Sequence, residues 1–303
     1  MKCGTGERER DPLVGRNCVV GDERAKLLGG RLDAHSMLDA PVFNPRANVL
    51  VDVLPGMQWR TSFATGFRAP QAFDADLHIA FAGGGISRIR IADGLVRETS
   101  RSASTSLDYN HAHPTFQYGF TLEGFHTRLY DTFVLEEVGA DAQGNLLLER
   151  RNGGASTVAG ATLELRYVYR DRFEVQSGLT LQQSHYDTPV AWSADLPATR
   201  RYLRTPDVYG FYTLRAVPWK PLSFSVSGVL TGPMDVPHLA GHIAADTLAR
   251  SPVFLETNLK AAYTFSGGTM PDVEVFAGVQ NVFDRYQRDF DRGPYRDSNY
   301  VYG

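Results

Sequence analysis

The sequence predicts an all-β protein: an antiparallel, up-and-down β-barrel of the kind that spans a membrane. Three observations carry this. Apolar and polar residues alternate with a period of two almost everywhere from residue 46 onward, which gives each strand one apolar and one polar face. Short and long connections between these segments take turns five times without an exception, as the turns and loops of outer-membrane barrels do. Several segments run to 13–16 residues, well beyond the ~5–6 usual in globular sheets.

The elements follow in order. A first strand is placed over 26–33, then a pair over 46–54 and 57–67 joined tightly at Pro55-Gly56. Met57, Trp59, Phe63 and Phe67 share one face of the second member of that pair. Segments 98–109 and 115–130 meet through residues 110–114, and the former alternates more weakly. In 158–170, Ala159, Ala161, Leu163, Leu165, Tyr167 and Tyr169 interleave with Gly160, Thr162, Glu164 and Arg166, and the next strand, 172–186, begins after Asp171. Strands 207–217 and 221–231 turn at Pro218-Trp219-Lys220, and 252–265 reaches 272–280 through residues 266–271. The total is eleven. The long connections, 68–97, 131–157, 187–206, 232–251 and 281–303, are polar or Gly-rich and read as loops.

Composition excludes other classes. Among 303 residues, 31 Lys+Arg face 34 Asp+Glu, a net charge of −3. A nucleic-acid binder needs a basic stripe to displace counterions, so nucleic acid is not an expected partner. No apolar run is long enough for a transmembrane helix, which leaves strand-spanning proteins open. A soluble β-sandwich also alternates, but strand length and a small, hydroxylated polar face favour the barrel. Aromatic residues gather beside the short turns, among them Tyr167, Tyr169, Trp219, Tyr263 and Phe265, where interfacial girdles sit. Residues 1–26 are polar and unassigned. They contain no apolar h-region, so no signal peptide is expected there and an export signal would lie upstream. Cys3 and Cys18 fall in this stretch without a neighbouring His; a local disulfide stays open beside the favoured unpaired state, and a zinc site does not.

Two stretches are more specific than periodicity. One runs Ser62-Phe63-Ala64-Thr65-Gly66-Phe67-Arg68-Ala69-Pro70-Gln71-Ala72-Phe73-Asp74-Ala75-Asp76-Leu77, and the other Gly278-Val279-Gln280-Asn281-Val282-Phe283-Asp284-Arg285-Tyr286. Their order, about 210 residues apart with alternating connections between, resembles TonB-dependent outer-membrane receptors over residues 27–303. The resemblance implies a barrel of about 22 strands around an N-terminal plug. On that pattern the chain reads as a C-terminal part of the barrel domain, about 11 strands of 22, without plug, TonB-contacting segment or last strand. It implies location in the outer membrane of a Gram-negative cell, with membrane lipid and the TonB complex as partners. The implied ligand is a small chelate: a ferric siderophore, haem, cobalamin or similar.

Taken as residues, Gly66, Phe67, Arg68, Ala69 and Pro70, and Asn281, Phe283, Asp284 and Tyr286, read as scaffold. Pro70 lacks an N–H and ends a ladder, Gly66 admits a bend or close approach, and Asn281 and Asp284 bond the backbone locally to start a turn. Asp74, Asp76, Arg88 and Arg90 are the candidates for touching ligand from a long loop. No catalytic, cofactor or metal residues are expected, and the protein does not read as an enzyme. His111 and His113 flank a turn without further ligands close in sequence. Ser184, His185 and Asp187 match a hydrolase triad in composition alone, since neighbours on a strand point to opposite faces. Gly83-Gly84-Gly85 lacks the strand-to-helix setting of a phosphate loop. Asp74, Asp76, Asp289 and Asp291 are acidic pairs of a kind surface loops carry routinely, Ca²⁺ being the cation they would suit. The alternative to a transporter is a non-transporting outer-membrane or secreted β-rich binding module; a membrane-embedded hydrolase would need a His–Ser–acid cluster at the rim.

Overall fold

The computed structural model describes residues 18–20, 24–70, 87–140, 142, 146–192, 196–238, 244–266 and 271–286. Its strands are β1 (Cys18–Val20), β2 (Arg24–Asp33), β3 (Val42–Leu54), β4 (Met57–Arg68), β5 (Ser87–Ile91), β6 (Glu98–Ala112), β7 (Phe116–Tyr130), β8 (Phe133–Ala140) and β9 (Leu146–Asn152). There follow β10 (Ser156–Tyr169), β11 (Phe173–Val190), β12 (Thr199–Arg201), β13 (Val208–Trp219), β14 (Leu222–Thr231), β15 (Asp235–His238), β16 (Thr247–Arg250), β17 (Phe254–Phe265) and β18 (Val273–Val279).

One antiparallel sheet dominates, in the order β1-β2-β3-β4-β6-β7-β10-β11-β13-β14-β17-β18, with β12 attached beside β11. Each strand pairs with its neighbour along this path, so the wall is an up-and-down meander. All eleven expected strands are in it. Among the described residues β1 and β18 do not pair with each other, and the sheet is not closed.

Register converts the period of two into two chemically distinct faces. Leu107, Leu122, Leu163 and Leu179 lie opposite one another in succession across four strands. Nearer the short turns, Tyr118, Tyr167, Val175, Leu214, Val226, Leu259 and Val279 form another such row. Many of these side chains are unusually open for large apolar groups, Leu122 at 49% exposure among them, and Leu181, two residues beyond Leu179 on the same face, is 53% exposed. A continuous apolar surface of this extent needs a non-aqueous partner. The opposite face carries Asp108, Thr121, Glu164 and Gly178 in one row. The Phe211 ring lies where a Cβ on Gly178 would stand, 2.5 Å away, so a side chain there would displace it.

The turns are compact. Arg170 and Asp171 both have positive φ, 48° and 52°, and the Arg172 N–H donates to Tyr169 O at 2.9 Å, a type I′ hairpin whose twist suits the flanking strands. Gly56 has φ 77°, and a Cβ there would meet the Asn110 carbonyl. The expected turn at Pro218-Trp219-Lys220 moves along the chain. β13 continues to Trp219 across an irregularity in the ladder after Ala216, and a cis Lys220-Pro221 bond makes the turn. Pro218 is accommodated because a bulge frees the position from donating to the ladder.

The long connections depart most from expectation. They contain strands. β5, β9 and β8 form a separate three-stranded sheet, in which β5 joins β9 in parallel, and β15 with β16 forms a hairpin. β11 extends to Val190, past the expected 186, and gathers β12 along this extension. β1 likewise lies within the unassigned first 26 residues.

Candidate functional site

Buried polar groups gather at the loop end of the wall, and Glu98, Ser156 and Asn44 lie there on its polar face. Arg68 closes β4 opposite Glu98, which opens β6. The Glu98 carboxylate accepts from the Arg68 guanidinium at 3.0 Å and, through the same oxygen, from the Phe133 backbone N–H at 3.0 Å. Above the ring of Phe133 stand two guanidinium groups, Arg68 at 4.7 Å and Arg150 at 5.7 Å. The nearly buried Arg150, at 4% exposure, lies on β9. A carboxylate and a ring therefore tie the connection after β7 to the tips of β4 and β6, by charge-assisted and cation–π contacts.

Beside this lies an aromatic group. Tyr186 of β11 stands opposite the fully buried Ser156 of β10. The Tyr202 hydroxyl donates to Ser156 Oγ at 2.7 Å, and its ring stacks on Tyr186 with centroids 4.3 Å apart and planes at 10°. Burial pushes the Tyr202 phenol above its ordinary pKa. Trp192 tilts against Tyr186 at 6.5 Å, and its indole N–H is buried without a hydrogen-bond partner among the described residues. Backbone contacts brace the neighbouring chain: Arg204 N–H donates to Asp235 O at 2.8 Å, and Met234 N–H to Ser251 Oγ at 3.1 Å. Guanidinium groups, stacked phenols and an indole donor within one mouth suit an anionic, partly aromatic guest.

The sequence-marked residues are distributed as follows. Gly66 and Phe67 lie in β4 opposite Ser100 and Thr99; Arg68 is the only one of that motif seen in the charged cluster, while Ala69 leads to a buried Pro70. At the other motif, the Asn281 side chain accepts from Arg285 N–H and donates to Arg285 O, both at 2.9 Å, and Asp284 N–H returns to Asn281 O. Asn281 and Asp284 both have positive φ. Phe283 and Tyr286 are exposed, and the Asp284 carboxylate raises the Tyr286 phenol. Of the loop candidates, Arg90 is engaged by Glu149 at 2.7 Å on the small sheet. Arg88 has a place in β5 opposite Leu147, and Asp74 and Asp76 lie outside the described residues. So do Cys3, Gly83-Gly84-Gly85, Asp289 and Asp291.

Sequence reading missed Glu98, Phe133, Arg150, Tyr186, Trp192 and Tyr202. Each sits at a strand tip or in a connection, and no local period marks them. His113 stacks on Phe116 and His111 tilts against the same ring, and among the described residues no three His, Cys, Asp or Glu side chains approach closely enough to share a metal. Ser184 and His185 lie on opposite faces of β11, and Asp187 is held by both arms of the Arg128 fork.

A wall of long antiparallel strands with one lipid-like face, carrying its polar cluster at the loop end, defines the outer-membrane barrel class. A family model for the TonB dependent receptor-like β-barrel matches residues 27–282, and the chain belongs to that family, whose members are transporters of the Gram-negative outer membrane and not enzymes. A search of curated proteins gave no significant match. Among solved structures, the siderophore receptors PirA of Acinetobacter baumannii and of Pseudomonas aeruginosa both superpose with TM-score 0.66, at 16% and 17% identity. They are covered over 41% and 45% of their lengths by 90% and 91% of this chain. The FrpB iron transporter of Neisseria meningitidis superposes with TM-score 0.62 at 16% identity, 90% of this chain covering 41% of it. The chain thus spans less than half the length of these receptors, and at such identities the likeness is one of fold.

Proposed function

We propose that the intact protein is a receptor that captures a scarce anionic chelate outside the cell and imports it with energy passed from the TonB complex. The chelate class is that of ferric siderophores, haem and cobalamin. In this reading the apolar face meets lipid, the polar face lines the lumen, the short turns face the periplasm and the loop end faces outward. The observation that carries it is the mouth: Arg68 and Arg150 over Phe133, next to the Tyr186–Tyr202 stack and the indole of Trp192. Stacking rings and a buried indole donor match the planar aromatic parts and acceptor oxygens of many iron chelates. The motif residues Gly66 to Pro70 and Asn281 to Tyr286 serve as scaffold in this proposal, Arg68 by anchoring the loop end.

Uptake tests it. Iron-starved cells with and without the intact gene are given radiolabelled ferric catecholate, ferric hydroxamate, haem or cobalamin. Gene-dependent accumulation of one of them that stops when TonB is deleted supports the proposal. Accumulation that persists without TonB, or of none, overturns transport; cell-surface binding without accumulation would instead make the protein a non-transporting binding module.

A further inference from the structure

We infer that Asn152 is a modification site: a deamidation switch that the folded loop end holds off and that, once reacted, loosens that end irreversibly. Asn152 is followed by Gly153, and no other Asn in the chain precedes a Gly. Asn reacts most readily in this context, because a residue without a Cβ lets its backbone nitrogen reach the preceding side-chain carbonyl carbon. The packing keeps the Gly, since a Cβ at that position would stand 2.7 Å from Val134 Cγ1. The fold also ties down every group the reaction needs. Asn152 Oδ1 accepts from Val96 N–H at 2.8 Å, and Nδ2 donates to Val96 O at 3.0 Å and to Asp131 O at 2.8 Å. The Gly153 N–H, whose nitrogen is the nucleophile once deprotonated, donates to Thr132 O at 2.7 Å.

These bonds make Asn152 a clasp. It ends β9 opposite Phe133 of β8, and its amide joins the connection before β6 to the one after β7. Attack requires the side chain to turn toward Gly153, so all four bonds must open first and the closed loop end is inert. When they open, hydroxide takes the Gly153 amide proton and the nitrogen bonds to Asn152 Cγ. The Cγ–Nδ2 bond breaks, ammonia leaves and a succinimide remains. Water opens that ring at either carbonyl, giving aspartate or isoaspartate at position 152; nothing is oxidised or reduced. Either product carries a carboxylate where the clasp had its NH₂ group. Val96 O and Asp131 O then lose their donor and face a negative charge. Isoaspartate also lengthens the backbone by a methylene between β9 and β10. The clasp cannot re-form, and the connections it joined come apart.

The test uses the full 303-residue chain refolded in phospholipid vesicles and aged in mildly alkaline buffer. Peptide mass spectrometry follows position 152, and hydrogen exchange follows the Gly153 amide. Folded protein should lose the Asn152 amide at least about tenfold more slowly than the same chain unfolded in concentrated urea. Equal rates would show that the fold does not guard the site and would overturn the proposal. Glu98→Ala and sub-denaturing urea both loosen the loop end. Each should quicken deamidation and Gly153 exchange by one common factor, about tenfold for the variant. Exchange that quickens while deamidation stays put would overturn the gating. Wild type aged after folding, and Asn152→Asp, should both exchange about tenfold faster at Val96, Thr132 and Gly153, with β13, β14 and β17 unchanged. Unaltered exchange at those three amides in the aged protein would mean that the reaction leaves the loop end closed, and would overturn the switch.

Discussion

The two ends of the wall are built differently. At the turn end, four connections reverse within two or three residues, with backbone bonds between near neighbours as at Tyr169 to Arg172, and the side chains there, Tyr118, Tyr167, Trp219 and Phe265, are open. At the loop end, connections fold back on one another and bury charge: Glu98, Arg150 and Ser156 are among the least exposed polar residues described. The turn end thus relies on local conformation and on an apolar environment. The loop end relies on specific polar pairs, each of which must be satisfied because water is excluded. A substitution in the wall should accordingly act on membrane insertion, and one at the mouth on local order alone.

The largest effect should come from breaking the wall's apolar face. Leu163→Lys puts an ammonium in the middle of the leucine row, at a cost of about 2–4 kcal/mol in folding into lipid. Glu164→Lys, one residue away on the polar face, should fold nearly as wild type. Urea titration in phospholipid vesicles measures both, and equal losses would mean that the two faces do not differ in environment.

Next is the mouth. Glu98→Ala strips the carboxylate from Arg68 and from the Phe133 N–H, and should destabilise the loop end by about 2–3 kcal/mol, less than a fully buried pair because Arg68 is partly solvated. Hydrogen exchange should accelerate at Phe133 and in β5, β8 and β9, while β13, β14 and β17 keep their protection. Loss of protection throughout would show that the mouth and wall unfold as one unit.

Within the turn end, Gly56→Ala should cost about 1–2 kcal/mol, because φ is positive there and the Asn110 carbonyl occupies the space a Cβ needs. The measurement is again the urea midpoint in vesicles. A change below ~0.3 kcal/mol would mean that the turn relaxes without strain.

How much of each end was legible in the sequence follows the same division. The row Leu107, Leu122, Leu163, Leu179 could be read because the period of two is written in adjacent residues, and eleven of the wall's thirteen strands were expected, all but the three-residue β1 and β12. The mouth could not. Its contacts join residues far apart, Glu98 with Phe133 across 35 positions and Val96 with Asn152 across 56, and β5 finds its partner β9 in another connection. Short strands that pair with distant segments look like polar loops until the wall brings their ends together. Arg68 was singled out for its motif, but its carboxylate and its ring lie in two other segments, so its part in the cluster had no signal in its own neighbourhood.

The smallest effect expected is at Tyr202, and it is the most diagnostic for the mouth. Tyr202→Phe keeps the stack on Tyr186 and removes only the bond to Ser156 Oγ, so the loss should be about 1 kcal/mol, seen as faster exchange near β12 with the wall unchanged. The pH dependence follows from the raised phenol pKa. The folded state holds the proton more tightly than the unfolded chain, whose phenol titrates near 10.0. The contribution is therefore complete below pH ~10 and is lost as pH climbs through the higher folded value, where the buried ring must ionise and can no longer donate to Ser156. Wild-type protein should loosen around β12 on that alkaline limb, and Tyr202→Phe should not. Absorbance at the phenolate band, followed with exchange at the same pH, separates the two. A wild-type limb that the variant reproduces would place the titrating group elsewhere and remove Tyr202 from the set of residues that hold the mouth closed against water.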